Sequence, residues 1–338
     1  MKKILVTGGA GYIGSHTVVD LLKNNYEVVI VDNFSNSTRK SVDAIEKISK
    51  KKVKLYEVDI KDQEKLLEVF KNENIDAVIH FASYKAVGES VENPIKYYEN
   101  NLSGTINLLK VMKETGVRNL VFSSSATVYG EAKEMPVKEE AEIGATNPYG
   151  RSKLIIENML KDLEVCNDGW NIIVLRYFNP LGAHPSGELG EQPNGIPQNL
   201  VPYILQVAVG QLEFVKVFGD DYNTPDGTGI RDYIHVMDLA EGHSRALKKI
   251  FNSPEGYEVY NLGSEKGFSV LEMIQNFEKV IGKKIPYKVM GRRPGDIAIS
   301  CADASKANKK LKWRAKRGIN EMCQDAWKWQ YTHPHGFI

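Results

Sequence analysis

The sequence predicts an α/β chain, a doubly wound parallel sheet with a smaller C-terminal α/β part, and three observations predict it. Gly8, Gly11 and Gly14 follow an apolar run, Ile4-Leu5-Val6, and open an amphipathic segment at 12–24, as a turn from a strand into a helix requires. Apolar runs of strand length then recur between helical patterns, at 27–31, 53–58, 77–80, 119–122 and 172–175. From Pro180 to about 228 the texture changes to Gly, Pro, Asn and His, where the sheet pattern stops.

In the first unit, Gly8 and Gly11 permit a sharp turn with backbone N–H groups close to a ligand. Gly14 lets the helix pack tightly while its N-terminus faces an anion. The second run ends at Asp32, the spacing at which a carboxylate meets the ribose of a dinucleotide on a Rossmann-type sheet. A glycine triplet alone fits a tight turn in an unliganded sheet equally well, and it is the order of strand, helix and terminal acid that favours dinucleotide binding. Gly8, Asp32, Asp59-Ile60, Phe81-Ala82, Ser123-Ser124-Ser125 and Arg176-Tyr177-Phe178-Asn179 each follow a strand. Ligands of such sheets bind at the carboxyl ends, so these six segments are expected at one cleft. Segments 183–187 and 222–227 read as long loops covering a ligand, 258–263 as a further strand and turn, and 270–281, 304–311 and 319–331 as helices of a lid.

Composition narrows the function. With 44 basic and 43 acidic residues in 338, the charge is too balanced for a surface built throughout for nucleic acid or anionic membrane. The basic run from Lys306 to Arg314, with Lys316 and Arg317, reads as a solvated helix face and the turn after it. Cys166, Cys301 and Cys323 are far apart and show neither a disulfide framework nor zinc-ligand spacing, which fits a reducing cytoplasm. Met1-Lys2-Lys3 leads straight into the first strand without a signal-peptide pattern, and no run approaches membrane-spanning length. A soluble cytoplasmic protein is expected. His16, His80, His184, His235 and His243 are scattered without ligand spacing, so structural roles and no metal are expected.

Tyr149 and Lys153 are four residues apart in a helical run at 149–163 and share one face. A phenol beside an ammonium can act as a base, although lowering a tyrosine from about 10 to neutrality needs roughly 4 kcal/mol of preferential phenolate stabilisation, a field whose sign the lysine and the positive nicotinamide of an oxidised cofactor supply. Taken alone, the pair is a surface i, i+4 contact. Ser125, just past a strand end, changes the reading, because it can bond the hydroxyl that Tyr149 deprotonates.

The Thr7-Gly8-x-x-Gly11-x-x-Gly14 opening, the serine before Ala126-Thr127-Val128-Tyr129-Gly130, and Tyr149-x-x-x-Lys153 resemble the extended short-chain dehydrogenase/reductases acting on nucleotide sugars. Arg176 through Gly187 and Asp226 through Val236 resemble specifically the UDP-glucose (UDP-galactose) 4-epimerases, and the likeness runs from Lys3 to about Gly336. It implies a C4 inversion through a 4-keto sugar, by hydride transfer to and from tightly bound NAD, with Ser125, Tyr149 and Lys153 as the catalytic set. Lys153 would also bind the nicotinamide ribose and lower the tyrosine pKa. It further implies Tyr12 and Ile13 at the pyrophosphate with the glycines, and Asp32, Asn33, Asn36 and Ser37 around the adenosine. Asp59 and Ile60 come near the adenine, and Phe81, Ala82, Lys85, Asn100 and Phe178 complete the NAD set. Asn179, Asn199, Leu200, Phe218, Arg231, Arg293, Asp296 and Ser300 match the UDP-sugar contacts, the two guanidinium groups suiting a diphosphate. Ser300, small where hexose-restricted relatives carry tyrosine, implies room for an N-acetyl group.

The resemblance also implies an NAD-binding domain at 1–180, with segments near 230–240 and 258–265 returning to it, a mainly UDP-sugar-binding domain at 181–338, and a homodimer pairing helices near 94–115 and 149–163. Two rivals remain. A nucleotide-sugar 4,6-dehydratase or decarboxylase shares the tyrosine and lysine but usually carries an acid just after the serine, where this chain has Ala126-Thr127. A non-catalytic NAD-binding regulator would keep the fold without needing the catalytic set.

Overall fold

The computed structural model describes residues 1–338 other than Asn167, Pro294 and Ile338. Seven strands form one sheet: β1 (Lys3–Thr7), β2 (Glu27–Asp32), β3 (Lys54–Glu57), β4 (Ala77–His80), β5 (Asn119–Ser123), β6 (Asn171–Tyr177) and, after three strands of other sheets, β10 (Tyr257–Leu262). All pairings are parallel and the order is β3-β2-β1-β4-β5-β6-β10, so the crossovers reverse direction between β1 and β4. That reversal opens the crevice in which ligands of such sheets bind.

The strands read as unbroken apolar runs because both sheet faces are covered. Ile4, Val6, Val28, Ile30 and Ile79 pack into one core, with the helix Tyr12–Lys23 and the helix Val236–Asn252. Their neighbours Leu5, Val29, Val31 and Val78 point the other way and meet Leu66, Val69, Leu108 and Val111 of the helices Gln63–Glu73 and Gly104–Glu114. Burying one such side chain fully contributes about 1.5–3 kcal/mol, so register is strongly fixed.

The segments 183–187 and 222–227 carry no helix or strand, as read, but the Gly- and Pro-rich region around them is more ordered than its texture suggests. It holds β7 (Asn179–Leu181), the helix Leu200–Ala208 and β8 (Val215–Phe218). The helix forms because Val201, Ile204, Leu205, Val207 and Ala208 give a buried stripe that outweighs the Gly- and Pro-rich flanks. β9 (Ile230–His235) pairs with β7, with β11 (Gly267–Ser269) and with β13 (Ile299–Ser300), while β12 (Tyr287–Met290) pairs with β8. A separate core of Leu181, Val217, Tyr233, Ile274, Phe277 and Met322 binds these pieces to the helices Val270–Ile281 and Ile319–Thr332. No helix among the described residues is long and apolar enough to cross a membrane.

Candidate active site

A cavity of about 790 Å³ runs along the carboxyl ends of the strands, from the glycine turn at one end to Arg231 and Arg293 at the other. Gly8 has φ +68°, and a Cβ there would stand 2.8 Å from the Ala82 nitrogen. A Cβ at Gly14 would stand 2.2 Å from the Gly8 carbonyl oxygen. Only hydrogen fits at either point, so the turn can close and bare its backbone. Gly11 opens the helix Tyr12–Lys23 without a side-chain cap and with no acid in the first turn, which leaves the helix-end N–H groups facing the cavity for an anion. Residues of this kind fit a dinucleotide pyrophosphate.

Asp32, at the end of β2, accepts from Ala10 N (3.0 Å), Phe34 N (2.9 Å) and Ser37 Oγ (2.7 Å), which fixes both carboxylate oxygens. Asn36 and Ser37 line the cavity, whereas Asp32 stands behind Ser37. Asn33 donates to Asp59 at 2.9 Å, Ile60 packs under Gly104, and Ala82 closes on Gly8; these three and Asp59 support the wall from outside the cavity lining. Asn100, carried by a π-helical turn at Glu99–Ser103, is buried and donates to Asn101 at 3.0 Å. Phe81, Phe178 and Lys85 do line the cavity, and Lys85 reaches across it to Glu191 at 3.0 Å.

The three side chains expected to do chemistry meet midway. Asn147 caps the helix Pro148–Val165 by accepting from Gly150 N at 2.9 Å, Pro148 takes the first position where no N–H is needed, and Tyr149 and Lys153 thereby face the sheet. Ser125 begins a 3₁₀ turn at Ala126–Tyr129, its hydroxyl accepting from Thr127 N (3.2 Å) and Thr127 Oγ1 (3.0 Å). Lys153 donates to Ser83 Oγ (2.9 Å) and to the Ser123 carbonyl (2.8 Å), above the Phe122 ring. Burial pushes its pKa down to about 7, with Glu157 opposing.

The chain's own groups do not supply the expected lowering: the phenol of Tyr149 is raised, because burial dominates and the hydrogen bond with Ser125 only partly offsets it. The Lys153 ammonium is turned toward Ser83 and Ser123, so the chain's own groups leave Tyr149 neutral.

At the far end Asn179, Asn199, Arg231, Arg293, Asp296 and Ser300 line the cavity, while Leu200 and Phe218 do not. Leu200 packs against the C-terminal core, and Phe218 underlies the Arg293 guanidinium at 5.4 Å. Arg293 also donates to Asp296 at 3.0 and 3.2 Å. Ser300 pairs with Arg231 across β13 and β9.

Sequence reasoning missed Ser83, Glu191 and Glu157, whose carboxylate links residues named above only within their segments: Ser124 donates to Glu157, Glu157 pairs with Arg176, and Arg176 donates to Tyr129. Glu157, one turn beyond Lys153, was the available signal. His80 sits between the hydroxyls of Thr7 (2.6 Å) and Thr105 (2.9 Å), and burial holds both it and His16 down at about 3. No group of three His, Cys, Asp or Glu among the described residues is placed to hold a metal.

Comparison with known proteins agrees with this geometry. The GDP-mannose 4,6 dehydratase family profile matches residues 5–326. A UDP-glucose 4-epimerase of Bacillus subtilis is 56% identical over 334 residues, covering 99% of this chain and 98% of that one. The crystal structure of UDP-glucose 4-epimerase from Bifidobacterium longum in complex with NAD+ and UDP superposes with a TM-score of 0.97 at 54% identity, over 99% of this chain and 100% of that one. The Stenotrophomonas maltophila UDP-glucose-4-epimerase, with bound NAD and formylated UDP-arabinopyranose, gives 0.97 at 48%, over 99% of each.

Proposed function

The chain belongs to the UDP-glucose 4-epimerase family of the extended short-chain dehydrogenase/reductases and is an NAD-dependent isomerase, and on that premise we propose that Ser125, Tyr149 and Lys153 invert C4 of a UDP-hexose. The observation that carries this assignment is the single cavity joining the glycine turn, these three side chains and the two arginines. Ala126-Thr127 after the serine leaves no acid for the elimination step of a dehydratase.

When bound, NAD supplies the acceptor and then the donor of the C4 hydride, so the reaction has no net redox change. Tyr149 takes the proton of the sugar 4-hydroxyl, and Ser125 bonds that same hydroxyl and orients it. The Lys153 ammonium, fixed by Ser83 and Ser123, stabilises the phenolate form of Tyr149 that accepts this proton, and it would hold the nicotinamide ribose. Arg231 and Arg293 hold the diphosphate while the 4-keto hexose turns over to offer its opposite face to the hydride, and Tyr149 returns its proton to the C4 oxygen. Gly8, Gly11, Gly14, Asp32 and the wall around them hold the cofactor, without the arginine directly after Asp32 that would favour an extra phosphate.

The test is Tyr149→Phe in a coupled assay with UDP-galactose. Turnover falls by several orders of magnitude with NAD content unchanged, and near-normal turnover sinks the assignment.

Substrate breadth extends to UDP-N-acetylglucosamine and UDP-N-acetylgalactosamine, supported by the small Ser300 on the cavity wall beside Arg231. The domains divide as 1–180, with parts near 230–240 and 258–265, for NAD and mainly 181–338 for the UDP-sugar. This division is supported by β10 lying in the main sheet and by the separate core of the later elements. A homodimer joins the helices near 94–115 and 149–163, supported by exposed Ile95, Ile106 and Ile155; sedimentation at a monomer mass would refute it. The three free cysteines suit a reducing cytoplasm.

A further inference from the structure

Beneath the catalytic side chains lies a buried ion pair for which the reaction above has no use. Glu157 and Arg176 have side chains only 2% and 6% exposed, and Arg176 donates to Glu157 through Nε at 3.1 and 3.2 Å and through Nη2 at 2.6 Å. Its other nitrogen donates to Tyr129 Oη and to the Glu139 carbonyl, each at 3.1 Å, and Tyr129 donates in turn to Asn261 at 2.6 Å. Such a pair gains little net stability over apolar packing of the same volume, because both charges lose their water. Its place in the fold gives it another role.

Glu157 follows Lys153 by one helical turn, and its remaining partner is the hydroxyl of Ser124. Ser124 is flanked by Ser123, whose carbonyl accepts from Lys153 at 2.8 Å, and by Ser125. One carboxylate therefore ties the helix that carries Tyr149 and Lys153 to the tripeptide that carries Ser125 and the Lys153 acceptor. We propose that Glu157 and Arg176 are positioning residues of the epimerase: Glu157 sets the register of Ser125 against Lys153 and keeps the lysine charged, and Arg176 limits how much of that negative charge the lysine feels.

The other groups around Lys153 leave Glu157 in that position. Tyr149 on its own helix, and beside it Tyr97 on the helix Pro94–Tyr98 and Tyr177 on β6, are buried phenols whose pKa values burial raises, so they are neutral except when Tyr149 serves as the base. His80 on β4 is held neutral by burial, with the Lys153 charge lowering it further. Glu157 is the carboxylate that opposes the loss of the lysine proton, and removing it lets that proton leave at lower pH.

The experiment uses the NAD-loaded enzyme and UDP-galactose, with kcat and KM measured across pH. Glu157→Gln, which keeps the shape and an acceptor for Ser124, lowers kcat roughly tenfold or more with KM within about twofold, and moves the alkaline limb of kcat to lower pH. Glu157→Asp, which keeps the charge, leaves the limb where it is. Arg176→Met bares the carboxylate and moves the limb to higher pH. If that variant does not fold, Ser124→Ala still decides the register half, since it keeps both charges and lowers kcat with the limb unmoved. Wild-type kcat in Glu157→Gln and Ser124→Ala, or an equal fall in all variants with no movement of the limb, overturns the proposal. This inference rests on the assignment of Ser125, Tyr149 and Lys153. Its failure is distinguishable, because only a normal turnover of Tyr149→Phe would remove that assignment.

Discussion

The two ends of the cavity are built on opposite plans. At the nucleotide end the recognition surface is backbone, set by Gly8, Gly11 and Gly14 within one turn, where added Cβ atoms meet main-chain atoms that cannot move. At the sugar end it is side chain, with Asn179, Asn199, Arg231, Arg293 and Ser300 brought together from separated strands and loops, and Arg231 and Arg293 about half solvated or bonded locally. The contrast teaches that, on the proposed assignment, the cofactor meets a part with no freedom to vary, and the substrate meets side chains supplied by separated elements.

Breaking the rigid end has the largest expected effect. Gly14→Val drives a branched side chain into the Gly8 carbonyl, 2.2 Å from the first added carbon, and is expected to give protein without NAD and without measurable turnover. Cofactor content after denaturation checks it, and a normally loaded variant would show that the turn has slack. Arg231→Met should leave NAD content unchanged and raise the KM for UDP-galactose about 10- to 100-fold, the loss of a charge-assisted bond worth about 1.5–3 kcal/mol. If the variant instead loses NAD, the two ends are not independent. Ser300→Tyr sharpens the comparison further: turnover of UDP-N-acetylglucosamine is expected to fall about tenfold or more through overpacking of roughly 1–3 kcal/mol, with UDP-galactose largely spared. Equal loss of both activities, or none on the N-acetyl sugar in the parent enzyme, removes the idea that this position gates the sugar.

The smallest effect is on stability. His16 and His80 lie under the nucleotide end, and burial holds both at about 3 when folded. An unfolded histidine titrates near 6.5, so the unfolded chain binds more protons below that pH. The stability these rings contribute is complete above about 6.5 and is lost as pH falls toward about 3. Urea midpoints at neutral and mildly acid pH are expected to show that decline, and His80→Gln to flatten it. An unchanged slope would mean that other groups dominate.

What could be read from the sequence follows the same division. The strands, the helix Val270–Ile281 and the glycine turn are local, their signal lying in periodicity and in residues with no substitute, and they were legible. The helix Leu200–Ala208 was lost among Gly and Pro because its buried stripe acquires meaning only against the later core. Placement of Asp32 behind Ser37, and of Phe218 beneath Arg293, depends on how segments far apart in sequence meet. The raised phenol of Tyr149 was illegible for the same reason: the four-residue spacing puts an ammonium on the same face, but burial and the direction of Lys153 decide the sign.

The central claim is that this chain inverts C4 by moving a hydride out and back within one closed site. The most direct measurement is to incubate the purified NAD-loaded enzyme with UDP-galactose in deuterated water, with no nicotinamide added, and to follow the sugar by NMR. The account predicts UDP-glucose formed over many turnovers with no deuterium at C4. Deuterium at C4, or product that appears only while added NAD is consumed, would contradict it.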